Sequence, residues 1–304
     1  QPLSDHWPKL AESFLGPVLR IPRHPVVLAR LGLAGVTPST TVANRYFNTE
    51  EAGALLAGNV AHAFLPLNRP LTTALALALM TPAHHSGWPI AAGGSAAITD
   101  ALASYLIESG GEIRCDSLVR TLDDLPAHDV ALFDTDAAAL ATIAGAALPR
   151  RVRRAFAARR RSPGVYKVDW ALDGPVPWTN AEAHRASTVH VGGTAAEIAG
   201  GEAQVSRGRN PERPFVLIAQ PSAADPSRAP EGKAVLWGYC HVPNGSTGDR
   251  TEAIEAQIER FAPGFRDLIL ARSVRPPTVV AADNPNSPGG DISGGSLAGL
   301  GLIA

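Results

Sequence analysis

An apolar helix enclosed by two glycine pairs is the feature that most constrains the fold. Gly93-Gly94 comes before it and Gly110-Gly111 comes after it. Glycine is common just past the end of a helix because it adopts the left-handed conformation without strain. Apolar residues with helical spacing lie between the two pairs, namely Ile98, Leu102, Leu106 and Ile107. The pattern predicts a helix over residues 95–109.

Two strand patterns follow this helix. Ile113 and Cys115 alternate with polar residues, and residues 130–133 are continuously apolar. A continuous apolar run is typical of a strand that is covered on both faces. An alanine-rich helix is predicted after residues 134–136. Helix, strand, strand and helix at this spacing indicate that residues 86–150 form part of an α/β layer.

The rest of the chain divides into three further segments. Residues 1–85 have the pattern of short helices broken by prolines, with Asn48 or Thr49 as the N-cap of one helix. Residues 151–281 are rich in strand patterns and contain one amphipathic helix, which predicts an α+β domain with its own sheet. Residues 282–304 are rich in glycine and are expected to lead back toward the α/β layer.

Composition argues against several classes of protein. Hydrophobic residues make up 45% of the 304 residues and charged residues 18%, which is enough apolar surface for a folded core. The formal net charge of -1 gives no reason to expect a nucleic-acid partner. Cys115 and Cys240 are too few for a disulfide scaffold.

No membrane-spanning or secretory segment is predicted. The most apolar run, residues 71–80, is about half of the roughly 20 residues that a spanning helix needs. Pro70 and Pro82 bracket that run, and the first residues lack the pattern of a signal peptide. We therefore expect a cytoplasmic protein.

The residues by themselves assign no catalytic group and no metal ligand. None of the histidines at positions 84, 85, 190 and 241 has a ligand partner at helical spacing, so no metal site is predicted. His190 and His241 lie on predicted strands, where one of them could face a substrate; a structural role is the favoured interpretation. Ser95 lies in neither a nucleophile elbow nor a P-loop.

Three blocks of sequence, taken together and in order, resemble a known family. The first runs from Gly87-Trp88-Pro89 through both glycine pairs to Val119. The second is residues 165–178, and the third is Asn284-Pro285-Asn286 followed by Gly289-Gly290-Asp291-Ile292. The blocks resemble the bacterial phytoene dehydrogenase-like branch of the flavin amine oxidase and carotenoid desaturase group. The resemblance extends over nearly the whole chain.

The resemblance implies a partial glutathione-reductase-like FAD domain of α/β type with an inserted α+β substrate domain. It implies an FAD-dependent oxidoreductase of the dehydrogenase or desaturase type, whose flavin takes a hydride from a small apolar substrate, isoprenoid-like compounds included. Such a reaction needs no general acid or base beyond the flavin ring. The residues implied to lie at the cofactor are Gly93, Gly94, Val119, Thr135, Asp136, Gly289, Gly290 and Asp291.

The chain departs from the family pattern in two places. It has no Gly-x-Gly-x-x-Gly turn, the family's main flavin-binding motif, which we expect upstream of Gln1. The family's closing segment is expected after Asp291 and does not match the residues found there. We therefore interpret the chain as an interior portion that binds FAD weakly or not at all by itself. Strand 130–133 is then expected to lack a neighbour and to expose its apolar side chains.

Two alternative functions remain, a membrane-surface lipid-binding protein and a non-catalytic interaction protein, both derived from the same fold. The segment Arg150–Arg161 is strongly basic, and a basic helix can lie on anionic lipid as a peripheral membrane contact. A solvated helix face is the favoured interpretation, because charge runs are usually exposed and the arginines are spread around the helix.

Overall fold

The computed structural model describes residues 3–14 and 21–298. One antiparallel sheet lies at its centre, with the strand order β2-β3-β4-β1-β5. The strands are β1 Gly164–Leu172, β2 Thr188–Val191, β3 Val216–Ala219, β4 Ala234–Val242 and β5 Ile269–Arg275. Gly238 of β4 lies opposite Val168 of β1 on one side and Ile218 of β3 on the other.

Eight of the described helices precede the sheet in the chain, and four lie between or after its strands. Within the described residues they are α1 Trp7–Phe14, α2 Pro25–Gly35, α3 Ser39–Tyr46, α4 Glu50–Ala61, α5 Thr72–Ser86, α6 Ala96–Glu108, α7 Ala137–Ala144, α8 Arg150–Ala157, α9 Ala195–Ser206, α10 Pro221–Ala224, α11 Thr251–Glu259 and α12 Pro277–Asp283. No single one of them is long and apolar enough to cross a membrane; α2 and α3 reach that standard only as a pair bent by 94°.

One face of the sheet packs against α11. Because successive side chains of a strand point to opposite faces, Val168 and Trp170 of β1 share this face with Leu236 of β4. Ile254 and Ile258, one helical turn apart on α11, complete this core and are fully buried. The result is a dry apolar layer that fixes the α11 side of the sheet.

The opposite face packs against α4 and α9. Leu56 and Val60 of α4 lie against Ile198 of α9 and against Phe215 and Leu217 at β3. Helix α4 begins where the sequence predicted, because the Thr49 side chain accepts a hydrogen bond from the backbone N–H three residues on, at 3.3 Å. The sheet is therefore covered by helices on both faces.

The structure confirms most of the predicted helices and strands. The glycine-bounded helix is α6, the alanine-rich helix is α7, and the strand patterns of residues 151–281 contain β1, β3 and β4. All five strands lie between Gly164 and Arg275. The described chain is thus mixed α/β with one antiparallel sheet, and the glutathione-reductase-like interpretation stays a prediction.

The two strands predicted at Ile113–Cys115 and at residues 130–133 are wrong as paired strands. Neither segment joins a ladder with any other described residue. Val130 is 73% exposed and Leu132 is 92% exposed, so the expected exposure of apolar side chains is observed. The physical reason is that a strand needs a neighbour for its N–H and C=O groups, and no described segment lies beside this one.

Two leucines give a matched test of this arrangement. We expect Leu236→Ala, in the α11 core, to lower the free energy of unfolding by about 2–5 kcal/mol, because truncation leaves a cavity. Leu132→Ala should change it by less than about 0.5 kcal/mol, since the side chain is in solvent. Denaturant unfolding of the purified chain measures both. A large loss for Leu132→Ala would contradict the exposed placement of residues 130–133.

Candidate functional site

Three distant segments meet just before β1, and we call this place the β1 junction: residues 135–136, 160–163 and 286–291. Arg161 donates through both terminal nitrogens to the carboxylate of Asp136, and its Nη2 lies 2.9 Å from Oδ1. This bidentate hydrogen bond is the main reason why the pKa of Asp136 is lowered. Asp136 is therefore ionised at neutral pH and paired with a half-buried arginine.

Backbone groups attach the third segment to the other two. The Asp136 N–H donates to Oδ1 of Asn286 at 2.9 Å. The Asp291 carboxylate, which is buried, accepts from the Ser162 N–H at 2.8 Å and from the Ser293 N–H at 2.9 Å. Of the residues implied by the resemblance, Thr135, Asp136, Gly289, Gly290 and Asp291 thus lie together at the junction.

The glycines of the junction are explained by close packing of the chain. Gly289 and Gly290 have φ angles of 67° and 82°, in the region that favours glycine. A Cβ on Gly289 would overlap the Asn244 side chain, and one on Gly290 would lie 2.9 Å from Cβ of Pro277. Asn244 also donates to the backbone carbonyl of Ser162 at 3.0 Å. These two glycines allow the 286–291 segment to approach β1.

A cavity of about 350 Å³ lies beside the junction. Arg69, Arg160 and Arg161 line it together with Ser162 and Asn244. Among the described residues, no carboxylate lies within 4 Å of the Arg69 or Arg160 guanidinium. The buried hydroxyl of Ser162 has no hydrogen-bond partner there either. An orphaned hydroxyl beside arginines is chemically suited to a phosphate-bearing group.

The other implied residues lie elsewhere. The Gly93 N–H donates to Oδ2 of Asp225 at 3.2 Å, and its carbonyl accepts from Arg228 at 2.8 Å. This contact joins the start of α6 to the loop after β3. A Cβ on Gly94 would overlap the guanidinium of the same arginine, Arg228. Val119 is half-buried in an irregular segment, and no described hydrogen bond connects it with the β1 junction.

A larger groove of about 920 Å³ lies between α4, α5 and the β2 side of the sheet. Most of its wall is apolar, with Leu55 of α4, Leu79 of α5, Val189 of β2 and the indoles of Trp88 and Trp237 among the lining residues. Ligand sites typically combine an apolar wall with few polar groups. This groove is therefore the best candidate for binding an apolar molecule.

Two histidines form a pair in the groove wall. His62, the C-cap of α4, and His190 of β2 have their Nε2 atoms 3.1 Å apart. Burial lowers the pKa of His62 to about 4 and the pKa of His190 to about 3. Gly58 of α4 makes room for the pair, because a Cβ there would lie 3.0 Å from Nδ1 of His190. Both rings are neutral at pH 7.

A second polar pair, His241 of β4 and Glu202 of α9, is buried on the side of the sheet that packs against α4 and α9. Nδ1 of His241 lies 2.9 Å from each carboxylate oxygen of Glu202, and both side chains are buried. The His241 ring packs on Phe64 with ring centroids 4.0 Å apart. Its Nε2 has no hydrogen-bond partner in the described chain. Besides burial, the neighbouring imidazoles contribute to the lowered pKa values: His241 for His62, and His62 followed by His241 for His190.

Sequence reasoning found only part of this groove. It placed His190 and His241 on strands, with a substrate-facing role as the less favoured interpretation, and it overlooked His62. The spacing of Gly58 and His62, four residues apart on one helix, is the signal that was available. No three His, Cys, Asp or Glu side chains of the described residues are grouped so as to hold a metal ion.

The lowered pKa values generate a prediction for stability. Unfolded histidines take up protons near their ordinary pKa of 6.5, whereas folded His62 and His190 stay neutral until about pH 4 and pH 3. The contribution of the two neutral histidines to the free energy of unfolding is therefore complete above pH 6.5. It decreases as the pH falls toward the pKa values of the folded state. At about pH 5 we expect a loss of about 2 kcal/mol for each histidine relative to neutral pH.

The measurement is the free energy of unfolding at about pH 7.5 and about pH 5 for the native chain, His190→Gln and His84→Gln. His190→Gln should show a smaller loss on acidification, because one of the two groups is gone. His84 is exposed at the end of α5, so His84→Gln should behave like the native chain. An equal loss in all three would exclude a buried neutral pair.

Comparison with known proteins shows a similarity in fold to a solved structure. No protein-family model matches the chain, and neither does any curated protein. The fold is similar to that of a crystal structure of an oxidoreductase from Methanosarcina mazei, with a TM-score of 0.55 at 15% sequence identity. The match covers 82% of this chain and 58% of that chain, so this chain spans less than two thirds of that structure's length. The match supports a shared fold.

Proposed function

We propose that the chain belongs to an FAD-dependent oxidoreductase of the phytoene dehydrogenase-like type that acts on an apolar substrate. The observation that carries this proposal is the β1 junction. Residues 135–136 and 289–291 were assigned to the cofactor from resemblance alone, and they meet although about 150 residues separate Asp136 from its partner Asn286. The fold shared with an oxidoreductase adds support.

The residues that line the cavity beside the junction suit the phosphates of FAD. Arg69 and Arg160, together with the Ser162 hydroxyl, would hold the pyrophosphate, because guanidinium groups bind phosphate oxygens bidentately. The Asp136–Arg161 pair would keep this wall in place. When bound, FAD would supply the hydride acceptor for substrate oxidation.

The apolar groove is the proposed substrate site. Its leucine, valine and tryptophan side chains remove apolar ligand surface from water, and each buried CH₂ group stabilises a complex by about 0.8 kcal/mol. Lys167 lies over the Trp237 ring, with Nζ 5.4 Å from the ring centroid. The lysine thereby covers the face of the indole at this end of the groove.

A lipid-binding function is the second candidate, and α8 is the observation that favours it. Its arginines are not evenly spread as the sequence interpretation held: Val152 and Phe156 are half-buried on one side, while Arg150, Arg151 and Arg154 are exposed. An exposed row of arginines suits an anionic surface. Peripheral membrane contact through this helix is also compatible with an enzyme that takes an apolar substrate from a bilayer.

Flavin content tests the proposed function. We expect the complete product of the reading frame that contains these residues to purify with FAD. In the complete product, Asp291→Ala should weaken FAD binding by at least about tenfold, because the Ser162 N–H loses its charged acceptor. Flavin absorbance and equilibrium titration with FAD measure both effects.

Asp173→Ala is the matched control, since Asp173 pairs with Lys233 on the surface of the sheet and lies outside the junction. It should leave FAD affinity unchanged. A complete product that binds no flavin after reconstitution would overturn the proposal.

Vesicle binding tests the second candidate. Replacing the three exposed arginines of α8 by glutamate should abolish sedimentation with vesicles that contain anionic lipid if lipid binding is the function of this helix. We expect the same variant to keep its FAD affinity in the complete product. Unchanged sedimentation would exclude α8 as a membrane contact.

A further inference from the structure

The His62–His190 pair places hydrogen-bonding atoms in a groove that is otherwise mostly apolar. The pair uses both Nε2 atoms for its internal contact. Nδ1 of His190 lies against Gly58, on the helix side. Nδ1 of His62 has no hydrogen-bond partner among the described residues, and it is not sealed from solvent as the His241 Nε2 is. His62 also lines the groove.

The chemistry of a neutral imidazole pair defines what His62 can offer. A hydrogen bond between two Nε2 atoms needs one N–H and one lone pair. If His62 donates through Nε2, its Nδ1 is an acceptor; if it accepts, its Nδ1 carries the proton. The two arrangements differ only by tautomer, so Nδ1 of His62 can act as a donor or an acceptor while the pair remains intact.

The surroundings keep the pair uncharged at neutral pH. The titratable groups packed nearest are His241 and Glu202 behind the pair, which bond to each other. Glu51, Glu182 and Arg185 are exposed residues at the groove rim. No described carboxylate lies within 4 Å of His62 or His190, so nothing stabilises a positive charge there.

We propose that His62 binds a hydroxyl group on an otherwise apolar ligand in this groove, and that His190 positions the His62 ring. A hydroxyl both donates and accepts, so it satisfies Nδ1 in either tautomer. An ether or a carbonyl oxygen satisfies only one tautomer, and a hydrocarbon satisfies neither. A carboxylate would bring an unpaired charge into an apolar wall. The ligand class is therefore a long-chain or polycyclic alcohol.

The identification of this ligand as substrate rests on the proposed oxidoreductase function, but its binding does not. The test therefore uses the purified chain without flavin. The probes are a long-chain primary alcohol, its methyl ether and the fatty acid of the same chain length. Trp88 and Trp237 line the groove, so the change in tryptophan fluorescence on titration reports occupancy.

We expect the native chain to bind the alcohol about tenfold more tightly than the methyl ether, which corresponds to about 1.4 kcal/mol. His62→Phe should bring this ratio close to one while leaving ether affinity similar, because apolar area is kept. His62→Gln should retain much of the preference, since an amide also donates and accepts. The fatty acid should bind more weakly than the alcohol at neutral pH.

His190 acts through His62, so its variants have a different expected pattern. His190→Phe should reduce the alcohol preference partly, and His190→Gln should restore it by again hydrogen-bonding Nε2 of His62. His84→Phe is the matched control, because His84 is exposed on α5 and does not line the groove. Thermal melts of each variant verify that the fold is intact.

The outcomes separate this inference from the proposed function. An alcohol-to-ether ratio near one in the native chain, a ratio unaffected by His62→Phe, or no binding of either probe would each overturn the inference. A complete product that carries flavin but shows no alcohol preference would leave the oxidoreductase proposal standing. An alcohol preference in a protein that binds no flavin would overturn the oxidoreductase proposal and leave the groove as an alcohol-binding site.

Discussion

The alternation of side chains along β4 is the constraint on which the described structure depends. Leu236 and Cys240 point into the α11 core, whereas Trp237, Tyr239 and His241 point toward α4 and the groove. The strand pairs with β1 and β3 on its two sides, so a shift of one residue would exchange its two faces. The packing on both faces of the sheet, the burial of His241 and the position of Trp237 in the groove wall therefore depend on the register of β4.

Electrostatics, in contrast, organise the β1 junction. The Asp136–Arg161 pair and the Asp291 carboxylate connect the segment before α7, the approach to β1 and the turn after α12. Asp136 also caps α7, since its side chain accepts from the Ala138 N–H at 3.0 Å. Partly buried charges with such partners are costly to leave unpaired. The same groups therefore hold the fold together and shape the arginine-lined cavity.

The groove and the cavity at the junction share no lining residue and have different chemistry. The junction joins carboxylates, arginines and close-packed glycines, whereas the groove joins apolar walls with two neutral histidines. Helix α6 and residues 130–132 show a third kind of surface, in which Leu102 and Leu132 are exposed. Extended apolar exposure is typical of a surface that packs against another one.

The sequence by itself determined the local elements, because their signals are local. Glycine pairs bounded α6, Thr49 capped α4, and apolar patterns located β1 and β4. The same reasoning failed at residues 130–133, since apolar character does not supply a partner strand.

The sequence assigned Asp136 and Asp291 only through a resemblance, and it could not show that they share one site. His62 meets His190 across 128 residues, and only packing of α4 on the sheet brings them to 3.1 Å. Contacts between distant residues are decided by tertiary structure, because their formation requires closing a long loop that no local pattern encodes.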